Sequence, residues 1–129
     1  MTIAVVDAAT VVDLICDLPP GEASRVHLLA ADAVATPDHL DAEVLSALGR
    51  LKRAGELTRE SERVEALRTF KARRWPLRPL LDAAWGLTDR IAVRDALYVA
   101  LAASLGATLV STDGRLRSAA SGIVTVADL

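Results

Sequence analysis

The chain has 129 residues, of which 52% are hydrophobic and 25% are charged, so its length fits one domain with a sizeable buried core. This composition excludes a disordered chain, and the longest apolar runs are too short to cross a membrane. The single cysteine, Cys16, excludes a disulfide framework within the chain and a zinc site built from several thiolates. Because no basic region followed by a long apolar stretch opens the sequence, we expect no signal peptide and, by elimination, a cytoplasmic location.

Strands are predicted to alternate with helices along the whole chain. In chain order, the pattern predicts a strand at 3–6, helices at 9–18 and 22–31, a strand at 33–36, helices at 39–53 and 58–73, an edge strand at 75–78, helices at 79–85 and 91–105, a strand at 108–111, a helix at 114–121 and a strand at 123–126. Asp38 and Asp89 are predicted to cap helices, and Gly106 to end one. This alternation is typical of an α/β protein with a parallel sheet covered by helices on both faces.

The net charge of −2 conceals an uneven distribution. Residues 50–78 contain ten basic and four acidic side chains, a net charge of +6, whereas the remainder carries −8. A basic stretch in an acidic protein indicates an anionic partner such as nucleic acid. A solvated helix with pairs of opposite charge, Glu60 with Arg63 and Glu65 with Arg68, explains the stretch equally well.

Acidic residues follow two of the predicted strands. Asp7 comes directly after the strand at 3–6, and Asp113 comes after the strand at 108–111. Ligands of open parallel sheets bind outside the carboxyl ends of the strands, so both acids are predicted to lie at a binding edge. Glu43 and Asp95 lie near the starts of two apolar helices. Each of the four acids has a simpler role as a cap or turn residue or as an acid at a helix start, but their joint placement favours one site.

Four converging carboxylates require a cation. Two like charges about 4 Å apart repel each other by about 4 kcal/mol at an effective dielectric constant of about 20. Oxygen ligands suit Mg²⁺ or Mn²⁺, and no cluster of histidine or cysteine favours another metal. His27 and His39 are far apart in the sequence and are predicted to be surface or packing residues. Such a metal site is suited to phosphodiester hydrolysis, and the basic stretch would hold the nucleic-acid backbone beside it.

Several phrases of the sequence, in this order and spacing, resemble a PIN-domain ribonuclease, most closely a VapC-type toxin of a bacterial toxin–antitoxin pair: IAVVDAATVVDLI, AEVLSALGRLKRAGELT and VRDALYVALAASLGATLVSTDGRL. The resemblance covers essentially the whole chain and implies one PIN domain over residues 1–129 with a five-stranded parallel sheet. It implies a Mg²⁺- or Mn²⁺-dependent endoribonuclease that acts on RNA. The implied catalytic metal ligands are Asp7, Glu43, Asp95 and Asp113.

The resemblance also indicates supporting residues and partners. Ser111 matches a hydroxyl position of the family, and Thr10 is the nearest hydroxyl to a position where this chain has Ala9 instead of the usual Ser or Thr. The implied partners are a second copy of the chain and a VapB-type antitoxin, docked on the apolar face of the helices at 39–53 and 58–73. Within the basic stretch, the candidates for RNA binding are Arg50, Arg53, Arg73 and Arg74.

Two other functions are compatible with parts of the sequence. A PIN fold that has lost catalysis and only binds its partner is compatible with Ala9. A receiver-like regulatory domain would use a strand-end aspartate such as Asp7 as a phosphoryl acceptor, but it usually needs adjacent acids in the first loop and a late lysine. No lysine follows Lys71. A phosphatase of the haloacid dehalogenase type would need an aspartate at position 9, where the chain has Ala9.

Overall fold

The computed structural model describes residues 1–129 and contains a five-stranded sheet in the order β3-β2-β1-β4-β5, with every pair of neighbours parallel. The strands are β1 (Ile3–Val6), β2 (Ala33–Pro37), β3 (Arg73–Trp75), β4 (Thr108–Val110) and β5 (Thr125–Val126). The helices are α1 (Ala8–Ile15), α2 (Pro20–Ala30), α3 (Leu40–Arg53), α4 (Glu60–Arg68), α5 (Leu81–Trp85), α6 (Val93–Leu105) and α7 (Gly114–Ala120). The predicted α/β class and five-stranded parallel sheet are therefore confirmed.

The order of the strands changes direction at β1. The chain builds β2 and β3 on one side of β1, then crosses to build β4 and β5 on the other side. The crevice at the carboxyl ends of β1 and β4 is therefore the switch point at which open α/β sheets bind ligands. This order differs from the 2-1-3-4-5 order of receiver domains, which removes the receiver-like alternative.

The central strand β1 is buried on both faces of the sheet. Val5 and Val6 are adjacent in the strand, so their side chains point to opposite faces, and both are fully buried. Leu40 and Val44 of α3 and Leu101 of α6 join the same large apolar cluster. No helix in the molecule combines the length and the apolar composition needed to cross a membrane.

Three local predictions were wrong. The third strand is Arg73–Trp75 rather than 75–78, because its partner Ala35–Pro37 pairs with those residues, and Pro76 follows the strand instead of interrupting it. Helix α4 ends at Arg68, where the Oγ1 of Thr69 bonds back to the carbonyl of Glu65 at 3.0 Å. Neither Asp38 nor Asp89 caps a helix, since α3 follows His39 and α6 follows Ala92, both without a side-chain cap. Gly106 does end α6, in the left-handed conformation (φ 60°).

Helices α1 and α2 pack closely because residue 21 has no side chain. A Cβ atom on Gly21 would lie 3.0 Å from the backbone carbonyl carbon and oxygen of Asp13 in α1. Since that neighbour is backbone, it can yield only if the two helices move apart. Gly49, in the middle of α3, lies in a roomier place, because the nearest atom to a Cβ added there would be a guanidinium nitrogen of Arg53 at 3.4 Å.

We therefore predict opposite effects of two glycine-to-alanine substitutions. Gly21→Ala should lower the free energy of unfolding by about 1 kcal/mol or more, because overpacking outweighs the gain in helix propensity. Gly49→Ala should raise it by about 0.5–1 kcal/mol, because alanine costs less backbone entropy in a helix. Urea unfolding of both variants measures the two values. Equal effects of the two substitutions would contradict the close packing of α1 against α2.

Candidate active site

The pairing of β1 with β4 brings the first acid next to a hydroxyl that is distant in the sequence. Val6 is the register partner of Val110, so the next residues, Asp7 and Ser111, leave the sheet side by side. Both are buried, and the Oγ of Ser111 donates to the Oδ2 of Asp7 at 2.7 Å. The backbone N–H of Asp113 in turn donates to the Oγ of Ser111 at 3.1 Å. The two predicted strand-end acids are therefore linked through one serine hydroxyl.

The other oxygen of Asp7 is held by the start of helix α1. Asp7 is the N-cap of α1, and its Oδ1 accepts the backbone N–H of Thr10 at 3.1 Å and also the hydroxyl of Thr10. The Oγ1 of Thr10 accepts the backbone N–H of Thr112 at 3.0 Å. Thr10 thus supplies the hydroxyl contact that Ala9 cannot make, and it connects α1 to the loop after β4.

Burial makes the charged form of the Asp7 carboxyl group less favourable. Its side chain is only 3% exposed, and burial raises the pKa of Asp7 to about 6 although hydrogen bonds from Thr10 and Ser111 lower it. The nearby charge of Asp113 raises the pKa further. An unpaired buried carboxylate is unfavourable, so the protein holds this carboxyl group in a place where a cation would stabilise its charged form.

Glu43 lies on the wall contributed by α3, next to two aromatic side chains. The Tyr98 hydroxyl of α6 donates to the Oε1 of Glu43 at 2.6 Å. Burial and the bond to Glu43 both raise the pKa of Tyr98, so the hydroxyl stays a donor. The ring of His39 lies 4.7 Å from the Tyr98 ring, between centroids, and its Nε2 is 3.4 Å from the Oε1 of Glu43. Tyr98 therefore fixes the position of the Glu43 carboxylate, and His39 lies beside it.

All four predicted acids line one cleft of about 650 Å³ at the carboxyl edge of the sheet: Asp7, Glu43, Asp95 and Asp113. They come from four different elements or their flanking loops. The pKa of Asp95 is raised first by burial and then by the charges of Glu43 and Asp113. This repulsion shows that the acids act on one another across the cleft.

The donor set fits a hard divalent cation. It consists of carboxylate oxygens, the ligands that Mg²⁺ and Mn²⁺ prefer. Burial and neighbouring acids raise the pKa values of Asp7 and Asp95, and a nearby positive charge would lower them. However, no group of three or more His, Cys, Asp or Glu side chains is drawn together closely enough to hold a metal ion as placed. A cation would therefore have to draw the half-buried acids toward Asp7.

Of the four arginines proposed for RNA binding, the structure brings only Arg50 to the cleft. The guanidinium of Arg74 bonds to the carboxylate of Asp41 and to the carbonyls of Phe70 and Ala72, so it stabilises the edge of the sheet. Arg73 stacks over the ring of Trp75, 4.5 Å from its centroid. Arg53 does not line the cleft.

Five of the ten basic side chains in the stretch form ion pairs, and three of their acidic partners belong to the stretch and are already counted in its net charge of +6. The pairs are Lys52 with Glu60, Arg59 with Glu62, Arg63 with Asp17, Arg68 with Glu65, and Arg74 with Asp41. The expected pair of Glu65 and Arg68 is present, whereas Glu60 and Arg63 each have a different partner. The stretch therefore does not form one continuous basic surface beside the acids.

Sequence reasoning missed six polar residues of the cleft: Asp13, His39, Ser46, Arg94, Tyr98 and Arg115. His39 was predicted to be a surface or packing residue, whereas its Nε2 bonds to the carbonyl of Arg94 at 2.9 Å beside Glu43. Tyr98 is the only tyrosine of the chain and lies one turn after Asp95 on an otherwise apolar helix. That spacing is the one signal in the sequence that could have placed it on the face of the acid.

Comparisons with known proteins agree with this arrangement. The PIN domain family model matches residues 4–122. The chain is 44% identical over 117 residues to Ribonuclease VapC3 of Mycobacterium tuberculosis, covering 89% of this chain and 85% of that protein. It is 36% identical over 115 residues to Ribonuclease VapC12 of the same organism, covering 87% and 88%.

Two solved structures share the fold. One is the crystal structure of VapBC2 from Rickettsia felis bound to a DNA fragment from the VapBC2 promoter. It has a TM-score of 0.72 at 15% identity, and the match covers 99% of this chain and 99% of that one. The structure of PAE2754 from Pyrobaculum aerophilum has a TM-score of 0.65 at 23% identity and covers 97% of this chain and 84% of that one.

The raised pKa of Asp7 leads to a prediction about stability in the absence of metal. Folding raises this pKa from 3.8 to about 6, so the folded state binds the proton more tightly, and the resulting stability is lost as the pH rises through that interval. Asp7→Asn does not titrate. The free energy of unfolding of the variant, relative to the wild type, should therefore rise between about pH 4 and pH 7, by at most about 3 kcal/mol.

Urea unfolding in EDTA over this pH range measures the difference. Asp82→Asn, at an exposed position of α5, is the control for the loss of a carboxylate at the surface. A difference between Asp7→Asn and wild type that does not change with pH would contradict the assigned environment of Asp7.

Proposed function

Because the chain belongs to the PIN-domain family and is a relative of the VapC ribonucleases, we propose that it is a Mg²⁺- or Mn²⁺-dependent endoribonuclease that hydrolyses RNA phosphodiesters. We propose further that it is the toxin of a toxin–antitoxin pair and acts in the cytoplasm. The observation that carries the proposal is that four carboxylates, each from a different part of the chain, line one cleft at the switch point of the sheet.

The catalytic acids have distinct surroundings within the cleft. Asp7 is fixed by three hydrogen bonds, two from Thr10 and one from Ser111, so its carboxylate does not need to be ordered when substrate binds. Tyr98 occupies one oxygen of Glu43 and leaves the other turned toward the exposed Arg94, whose Nε is 3.7 Å away. Asp113 is the N-cap of α7, and its Oδ1 accepts the backbone N–H groups of Arg115 at 2.9 Å and Leu116 at 3.4 Å. Asp95 is half-buried, and its carboxylate has no hydrogen-bond partner.

These surroundings suit a reaction in which charge develops on a phosphodiester. A bound Mg²⁺ or Mn²⁺ supplies a Lewis acid that polarises a phosphoryl oxygen and activates the attacking water. Asp7, Glu43, Asp95 and Asp113 are the proposed ligands, and Ser111 and Thr10 orient Asp7. Losing such an orienting contact typically reduces metal affinity by about 10- to 100-fold. The intact contact from Thr10 therefore argues against a PIN fold that has lost its catalysis through Ala9.

The proposal includes an antitoxin, in keeping with the VapBC2 structure that shares this fold. The apolar face of α3 and α4, suggested as its dock from the sequence, is mostly buried within the protein, since Val44, Leu48 and Leu67 are each at most 4% exposed. An open groove of about 730 Å³ between α1, α2 and α4 offers apolar surface instead, with Leu29 and Phe70 in its lining. We therefore place the antitoxin in this groove.

The proposed homodimer also has exposed apolar surface available. Trp85 and Leu81, one turn apart on α5, are 72% and 53% exposed. A second copy of the chain would remove them from water. Sedimentation equilibrium of the purified protein checks the dimer, and a monomer at all concentrations would contradict it.

Cleavage of a mixed RNA pool by purified protein tests the function. We expect cleavage with Mg²⁺ or Mn²⁺, none with EDTA, and a loss of at least about 100-fold in Asp7→Asn, because the best-fixed ligand is removed. Far-ultraviolet circular dichroism of the variant should match the wild type, since asparagine keeps the shape of the side chain.

Ser46→Ala is the matched control for this experiment. Ser46 lines the same cleft, but its hydroxyl has no bond to any of the four acids, so the variant should cleave like wild type. Cleavage by Asp7→Asn at the wild-type rate would overturn the site assignment. Cleavage that persists in EDTA would overturn the metal dependence.

A further inference from the structure

Three arginines surround the acidic cleft on three different elements. Arg50 lies on α3, Arg94 in the first turn of α6 and Arg115 in the first turn of α7, and all three line the cleft together with the acids. Each is exposed to solvent. They come from distant parts of the chain, so only the fold brings them together.

These three guanidinium groups are mostly without partners inside the protein. Arg50 and Arg115 form no side-chain hydrogen bond and no ion pair, and Arg94 approaches Glu43 only at 3.7 Å with a side chain that is 77% exposed. By contrast, Arg63 bonds to Asp17, and Arg117 bonds to the carbonyls of Ser111 and Ala127. The arginines of the cleft therefore remain available for a ligand.

Neutralising the acids does not explain this arrangement. If all three arginines served that purpose they would contact the carboxylates, yet only Arg94 approaches one, Glu43 at 3.7 Å, and neither Arg50 nor Arg115 contacts any of the four acids. A polyanion entering the cleft is repelled by the same four acids. Positive groups around the opening would offset that repulsion. Arginine is suited to the task because its planar group can donate two parallel hydrogen bonds to a phosphate.

We propose that Arg50, Arg94 and Arg115 form a phosphate-binding set that holds the RNA backbone on the phosphates flanking the phosphodiester to be cut. This inference rests on the proposed ribonuclease function and specifies how that site takes its substrate. It replaces the basic stretch at 50–78, of which only Arg50 is included. Because the contacts are to the backbone, they position RNA without selecting a base sequence.

Binding of a labelled single-stranded RNA pool of mixed sequence, measured by fluorescence anisotropy in the Asp7→Asn background, tests the proposal without cleavage. Arg50→Ala, Arg94→Ala and Arg115→Ala should each weaken binding by about tenfold. Each should also reduce the slope of log K against log salt by about 0.7, the contribution of one phosphate contact to a single strand. The corresponding lysine variants should recover part of the affinity.

Arg25→Ala is the control, because Arg25 is an exposed arginine on α2 that does not line the cleft and its loss changes the net charge equally. It should leave affinity and salt slope unchanged. In the otherwise wild-type enzyme, the three cleft variants should raise KM more than they lower kcat, since they bind RNA away from the reacting atoms.

Two outcomes would overturn the proposal in distinguishable ways. If wild type cleaves RNA but the cleft variants bind like Arg25→Ala, the arginine set is wrong and the ribonuclease function stands. If wild type neither binds nor cleaves RNA with either metal, both the arginine set and the proposed function fail.

Discussion

The site depends on burying one carboxylate at the end of the central strand. The register of β1 on β4 leaves Asp7 beside Ser111, where water is almost excluded. The protein offsets the cost of burial only in part, with hydrogen bonds from Ser111 and Thr10, since the pKa of Asp7 remains raised at about 6. Full compensation by a basic residue would have stabilised the fold but removed the need for a cation. The incomplete compensation is what makes the edge of the sheet a candidate metal site.

The other three acids line the cleft between the buried strand end and the solvent. Asp113 is held by the backbone N–H groups at the start of α7, and Glu43 is held by the hydroxyl of Tyr98. Asp95 is half-buried without a hydrogen bond to its carboxylate, so it is the acid most able to adjust around a cation. The three arginines of the cleft are more exposed than the acids, so an approaching polyanion would meet them first. The positive side chains are exposed and the negative ones lie deeper in the cleft. This arrangement allows the same opening to attract a phosphate backbone and to hold a divalent metal.

Features that depend on neighbouring residues could be predicted from the sequence, whereas features that depend on contacts between distant elements could not. A run of apolar residues ending in an acid before a helix identifies the strand end at Asp7, and the fold class follows from the alternation of elements. The third strand was misplaced because its bounds depend on pairing with β2 rather than on its own residues. Tyr98 and Arg115 were missed because their roles arise only when α6 and α7 are brought to the same edge of the sheet. The charge of the stretch at 50–78 did not locate arginines at the acids, since only Arg50 of its four candidates lines the cleft.

The most direct test of this account is calorimetric titration of Mn²⁺ into the metal-free protein at neutral pH. The account predicts saturable binding to wild type that is at least about tenfold weaker in Asp7→Asn, because that variant lacks the buried carboxylate that Thr10 and Ser111 hold in place. In a second titration at about pH 6 it also predicts release of protons on binding, since metal ligands must be deprotonated and burial raises the pKa of Asp7 to about 6. Absence of saturable binding, or equal binding by the variant, would contradict the claim that the four acids form a metal site.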